Sequence, residues 1–141
     1  MELVPTELMN AVPLLNEIKH ALERWRAHGE PRTINIFNFP LTAADASWLD
    51  EVLGRGELTV EYQGMEHTFW QEAKVSGVWW GEYRNGSGNV TLRSIEIADF
   101  PTLARAQPED IDDGIAQLAA ILQAHSPAPK RTLPVLAANT D

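Results

Sequence analysis

The sequence predicts an α+β domain: an antiparallel meander sheet of four or five strands packed against helices, with a helix towards each end of the chain. Three observations predict it. Apolar residues recur at helical spacing as far as Gly54, alternate with a period of two from Glu57 to Asp99, and return to helical spacing after Pro108. Asn85-Gly86-Ser87-Gly88 is a hairpin signal, because glycine and asparagine tolerate positive φ. Phe100-Pro101 then ends the extended region.

The elements follow in order. Thr6 to Gly29 reads as a helical segment, with Ile18, Ala21, Leu22 and Trp25 on one face. Pro13 belongs in the first turn, where a missing N–H costs nothing, and Gly29 is the stop. Thr33-Ile34-Asn35-Ile36 alternates and is β-branched, which predicts a short strand. Thr42 caps a second helix, and Asp45 three residues on makes a variant capping box. Leu49, Val52 and Leu53 are expected to face inward, with Gly54 ending that helix.

The meander begins with Leu58, Val60 and Tyr62, alternating with Thr59 and Glu61. A turn near Gln63-Gly64 leads to a run from His67 to Lys74, then Gly77 to Arg84, then Asn89 to Ala98. In the last run the apolar set changes parity between Leu92 and Ile95, which predicts either a bulge or a strand buried on both faces. A helical turn is expected over Thr102 to Ala106. Pro108 then opens a helix whose acidic start, Glu109, Asp110, Asp112 and Asp113, complements the helix dipole. Ile111, Ile115, Leu118, Ile121 and Leu122 form its apolar stripe. Residues 1–125 are expected to form one domain, and 126–141, rich in proline and alanine, a flexible tail.

Composition narrows the function. The chain has 141 residues, 44% of them hydrophobic, enough for one core and too apolar for a disordered chain. Its net charge of −9 would be repelled by phosphate backbones, so nucleic acid is not an expected partner, and basic protein surfaces are. With no cysteine, disulfides, thiolate catalysis and thiolate metal sites are excluded. Met1-Glu2-Leu3-Val4-Pro5 has no basic region leading into an apolar run, and no apolar stretch is long enough for a bilayer. The cytoplasm is the expected compartment, with no membrane partner.

Chemistry-bearing motifs are scarce. His20, His28, His67 and His125 have no zinc-site spacing. Asp110, Asp112 and Asp113 lack the glycine and distal glutamate of a calcium loop. Ser76, Ser87 and Ser94 lack a nucleophile elbow, and Gly86-Ser87-Gly88 has neither the lysine nor the helix of a phosphate loop. The reading is no catalytic residue, no metal and no cofactor. Glu72 and Glu82 are the first acid–base candidates of an alternative reading, a small-molecule or enzyme site in an aromatic cleft.

The aromatic set stands out. Trp70, Trp79, Trp80 and Tyr83 fall in the meander with Tyr62 and Phe69, and adjacent Trp79 and Trp80 must point to opposite faces. Two arrangements satisfy this. In one, a tryptophan face carrying Trp70 lies open, rimmed by Gln71, Glu72 and Glu82, as a recognition surface. In the other, helices cover both faces, or strand twist buries both rings. The expected partner-binding set is Trp70, Gln71, Glu72, Gly77, Trp79, Trp80, Glu82 and Tyr83.

Several stretches carry a family resemblance through their order and spacing. They are Phe39-Pro40-Leu41-Thr42-Ala43-Ala44-Asp45, Leu49-Asp50-Glu51-Val52-Leu53-Gly54-Arg55-Gly56-Glu57, Gln71-Glu72-Ala73-Lys74-Val75-Ser76-Gly77-Val78-Trp79-Trp80, and Ile95-Glu96-Ile97-Ala98-Asp99-Phe100-Pro101, followed by Pro108-Glu109-Asp110. From Thr33 to Ala124 the chain resembles the C-terminal domain of the HupH/HyaF hydrogenase expression and formation proteins. The resemblance implies an assembly factor, not an enzyme, in maturation of nickel–iron hydrogenases. It implies partners among the maturation proteins, above all the small subunit. Family members look longer, with two related copies of this domain. The single copy here, with its excess of aromatic surface, leads to the expectation that two chains pair as a homodimer.

Overall fold

The computed structural model describes residues 8–37 and 39–125. The chain divides into two compact units, one up to Arg105 and one from Ala106.

The first unit contains, in order, α1 (Ala11–His28), β1 (Arg32–Asn35), α2 (Ala43–Leu53), β2 (Thr59–Gln63), β3 (His67–Glu72), β4 (Val78–Arg84), β5 (Val90–Ile97) and a 3-10 turn at Thr102–Ala104. The strands form one five-stranded sheet in the order β1-β5-β4-β3-β2, antiparallel at every pairing. β2 to β5 are the expected meander. β1 adds to the free edge of β5, so the path through α2 carries the chain from one edge of the sheet to the other.

Register sorts the side chains. Ile34 pairs with Ile95, Ile95 with Trp80, and Trp80 with Gln71, so these four share a face. Val78 opposite Ile97 extends it. Both helices pack there: Leu14 and Ile18 of α1, and Leu49 and Leu53 of α2, join Ile34, Val78, Ile95 and Ile97 in one buried cluster. Val52, expected to face inward, is instead exposed. Leu49 and Leu53, one turn apart, take the sheet-facing line, and Val52 is rotated to the rim.

The helix starts are tied together by one side chain. Thr42 and Asp45 form the capping box of α2, each side chain accepting from the other's backbone N–H. Asp45 also reaches back across the chain. Its Oδ1 accepts from the backbone N–H groups of Met9 at 2.8 Å and Ala11 at 3.1 Å, and Oδ2 accepts from Asn10 at 3.1 Å. Thus α1, which has no capping side chain of its own, is capped from α2. Asp45 is fully buried. Burial alone would raise its pKa, but the N–H groups of Thr42, Met9, Asn10 and Ala11 outweigh it and hold it at about 2. Pro13 lies in the first turn of α1, and Gly29 ends it with φ 71°. Thr6 and the tail 126–141 lie outside the described residues.

The parity change in β5 reflects burial on both faces, because Ser94, Ile95, Glu96 and Ile97 are all buried. The register irregularity sits instead near the hairpin end of β4, between Tyr83 and Arg84. The second unit contains α3 (Pro108–Ala124), with proline at its start and Glu109 and Asp110 in its first turn. Ile111, Ile115, Leu118, Ile121 and Leu122 are exposed on it. Among the described residues no helix is long and apolar enough to cross a membrane.

Candidate functional site

Trp79 and Trp80 do point to opposite faces, and the two faces treat them differently. On the face away from the helices, Glu96 is paired with Trp79, and Ser94 with Gly81, which is paired in turn with Trp70. Glu96 Oε2 accepts from Tyr83 Oη at 2.8 Å, Ser94 Oγ at 2.9 Å and Trp70 Nε1 at 3.0 Å. Trp70 and Tyr83 meet edge to face at 6.1 Å. Trp79 donates to the Ala98 carbonyl at 3.1 Å and packs edge to face on Phe100. Burial, and then the hydrogen bond to Glu96, raise the Tyr83 pKa above the usual tyrosine range. This is a polar pin built on the buried Trp70, Ser94 and Glu96, with Tyr83 partly buried at its edge.

An exposed face carrying Trp70 is therefore corrected: Trp70 and Trp79 are each 1% exposed. Neither ring offers surface to a partner. The aromatic side chains find cover from each other, from Phe100 and from Glu96, which the sequence alone did not bring together.

The helix-bearing face keeps an opening. A groove of about 590 Å3 lies between α2, the segment around Phe37 and the strands β3, β4 and β5. Trp80, Gln71 and Phe69 lie in its floor with Glu82, while Leu41 and Arg55 stand at its side. Trp80 is fixed by its Nε1–H to the Gly54 carbonyl at 2.9 Å. The Arg55 guanidinium stacks 4.3 Å above the ring and binds Asp50 Oδ1 at 2.6 Å. Glu82 Oε2 accepts from Arg84 at 3.2 Å and Arg93 at 3.5 Å.

Of the expected partner-binding residues, the groove gathers Gln71, Trp80 and Glu82. Tyr83 belongs to the polar pin on the other face. Gly77 sits in the β3–β4 turn at φ 87°, where its N–H donates to Glu72 Oε2 at 3.2 Å. Glu72 pairs with Trp79, whereas Glu82 pairs with Phe69, so the two carboxylates lie on opposite faces. They do not converge in an aromatic cleft, and the acid–base pair is corrected. The expected set left out Phe69, which the sequence had placed only among the meander's aromatics, and Arg55, Phe37 and Arg93. Arg93 was within reach, since pairing across the Asn85–Gly88 hairpin sets it opposite Glu82. Among the described residues no group of three or more histidines or carboxylates could hold a metal ion.

Residues 8–125 match the family model of the HupH hydrogenase expression protein, C-terminal conserved region. This chain belongs to that family.

The HupH match takes in α1 as well as the stretch from Thr33 onward, and so spans every element from α1 to α3. The chain is 32% identical over 123 residues to the hydrogenase expression/formation protein HupQ of Azotobacter chroococcum mcd 1, covering 86% of this chain and 43% of HupQ. It is 31% identical over 120 residues to HoxQ of Cupriavidus necator, covering 85% of this chain and 43% of HoxQ. The hydrogenase-1 operon protein HyaF of Escherichia coli K12 is 27% identical over 116 residues, covering 82% of this chain and 40% of HyaF. The chain thus spans less than half the length of these relatives. The solved structure of the hydrogenase expression protein HupH from Thiobacillus denitrificans ATCC 25259 superposes with a TM-score of 0.72 at 36% identity, covering 82% of this chain and 96% of that one.

Proposed function

We propose that this chain is an accessory protein of nickel–iron hydrogenase maturation, and that it binds a maturation partner, foremost the hydrogenase small subunit, without catalysing a reaction. The names of the relatives support the setting, since HupQ, HoxQ and HupH are hydrogenase expression/formation proteins. The observation that carries the binding reading is the groove. It combines a partly buried tryptophan and a stacked arginine, residue classes that dominate binding hot spots, with an exposed phenylalanine beside them. The opposite-face placement of Glu72 and Glu82 takes away the acid–base pair on which an enzymatic reading rested.

The test is affinity capture from cells that make the hydrogenase, with detection of the small-subunit precursor. Trp80→Ala and Phe69→Ala, each verified as folded by near-UV circular dichroism, should weaken capture by about 2 kcal/mol or more if either is a hot spot. Undiminished capture by both variants would move the binding surface elsewhere. No capture by the unaltered protein would remove the small subunit as the partner.

A further inference from the structure

α3 is a helix without a core. Among its residues, all described, none is buried, and Ile111, Ile115, Leu118, Ile121 and Leu122 are 47% to 70% exposed. Its first half holds Asp110, Asp112, Asp113 and Gly114, all weak helix formers. Helices in proteins draw most of their stability from a packed apolar face, so this stripe needs cover. On the sheet of the first unit, α1 and α2 already occupy one face, and Trp70, Trp79, Ser94 and Glu96 are already buried on the other.

The stripe has the form of a helix-on-helix seam. Ile111, Ile115, Leu118 and Leu122 are separated by steps of four, three and four residues, the alternation of a heptad. It is also self-complementary. Two such helices, antiparallel about a twofold axis, would set Ile111 against Leu122 and Ile115 against Leu118, with Ile121 over Gly114 of the other helix. Charge selects the direction. Glu109, Asp110, Asp112 and Asp113 all stand in the first half of α3, which has no lysine or arginine. Antiparallel pairing sets each acidic half beside a neutral one, whereas parallel pairing brings both acidic starts together and makes them repel.

We propose that α3 is a dimerisation helix, through which two copies of this chain pair antiparallel across a twofold axis. The proposal does not depend on the groove. It assigns the pairing to aliphatic residues of α3 rather than to the aromatic surface that the sequence suggests.

The test is sedimentation equilibrium of the full chain between about 2 and about 200 μM, since a dimer forms by mass action. The apparent mass should rise from 15.7 kDa towards twice that value. Leu118→Glu, which puts a charge in the seam, should weaken the dimer by at least about tenfold. Its near-UV circular dichroism should match the parent's, because all five tryptophans lie in the first unit. Ala120→Glu, on the opposite side of α3, should leave the dimer intact. Two openings on the first unit are rival seats for the stripe, one beside Trp80 and one beside Val52 between α1 and α2. Trp80→Ala and Val52→Glu should therefore leave the dimer intact as well. Because the chain has no cysteine, direction can be read by mixing Asp112→Cys and Ala119→Cys chains, oxidising them, and mapping the linked peptides by mass spectrometry. Antiparallel helices should join position 112 to position 119. A monomer at every concentration, a dimer that survives Leu118→Glu, a dimer lost with Val52→Glu or Trp80→Ala, or a predominant 112-to-112 link would each overturn the proposal.

Discussion

Among the described residues no ion pair reaches the buried Glu96 carboxylate, and neutral donors do the solvating. Tyr83, Ser94 and Trp70 all aim at Oε2, which is how a buried anion is tolerated. Gly81 makes room for them. A Cβ at that position would stand 2.5 Å from Ser94 Oγ and 3.0 Å from Glu96 Oε2, closer than real contacts allow. Gly81→Ala should therefore destabilise the protein by about 2 kcal/mol through overpacking, read as a lower urea midpoint. Adding Ser94→Ala should recover part of the loss. A Gly81→Ala protein as stable as the parent would show that the pin is looser than its distances imply. The groove residues follow a different logic: Trp80 and Phe69 keep surface because the helices on their face leave a gap beside α2.

The two helices of the first unit depend on one acid. Asp45 closes the capping box of α2 and supplies the acceptors that α1 lacks. Its folded pKa of about 2 lies below the ordinary aspartate value. A depressed carboxylate stabilises the fold fully above its unfolded pKa, and that contribution is lost as pH falls towards the folded one. Stability should thus decline between about pH 4 and pH 2. Asp45→Asn should lower the thermal midpoint at pH 7 and flatten that acid limb. A variant with the same slope as the parent between those pH values would assign the acid loss to other carboxylates. Thr42→Ala removes one cap only and should cost about 1 kcal/mol. The hairpin at Asn85–Gly88 is the other local device: Asn85 Oδ1 accepts from the N–H groups of Ser87 and Asn89, which fixes the turn and with it the pairing of Glu82 with Arg93.

Across the whole molecule, 20 acidic residues stand against 11 lysines and arginines. The excess repels itself in the compact state. The ion pairs of the first unit are largely exposed, so each contributes little for salt to screen away. Raising sodium chloride from about 0.02 M to about 0.5 M should therefore stabilise the fold by about 1 kcal/mol, since screening then spans less than 5 Å or so. A urea midpoint that falls with salt would mean that the pairs outweigh the net charge. Within the groove the charges balance, Arg55 and Arg93 standing against Asp50 and Glu82.

Much of this was legible in the sequence. Helix periods, the Thr42–Asp45 box, the Gly29 and Gly54 stops, the Asn85–Gly88 hairpin and the opposite facing of Trp79 and Trp80 are set by residues within a turn or two of each other. Local sterics and hydrogen bonds decide such features, so they survive without knowledge of the fold. Tertiary structure alone decided which tryptophans are covered, that Glu72 and Glu82 part to different faces, and that Asp45 caps a helix starting 34 residues before it. It also set Arg55 on Trp80, across the turn from α2 into the sheet. Those outcomes depend on strand register and on which sheet face the helices cover. Both are fixed by packing between segments far apart in the chain, where sequence periodicity carries no information about partners.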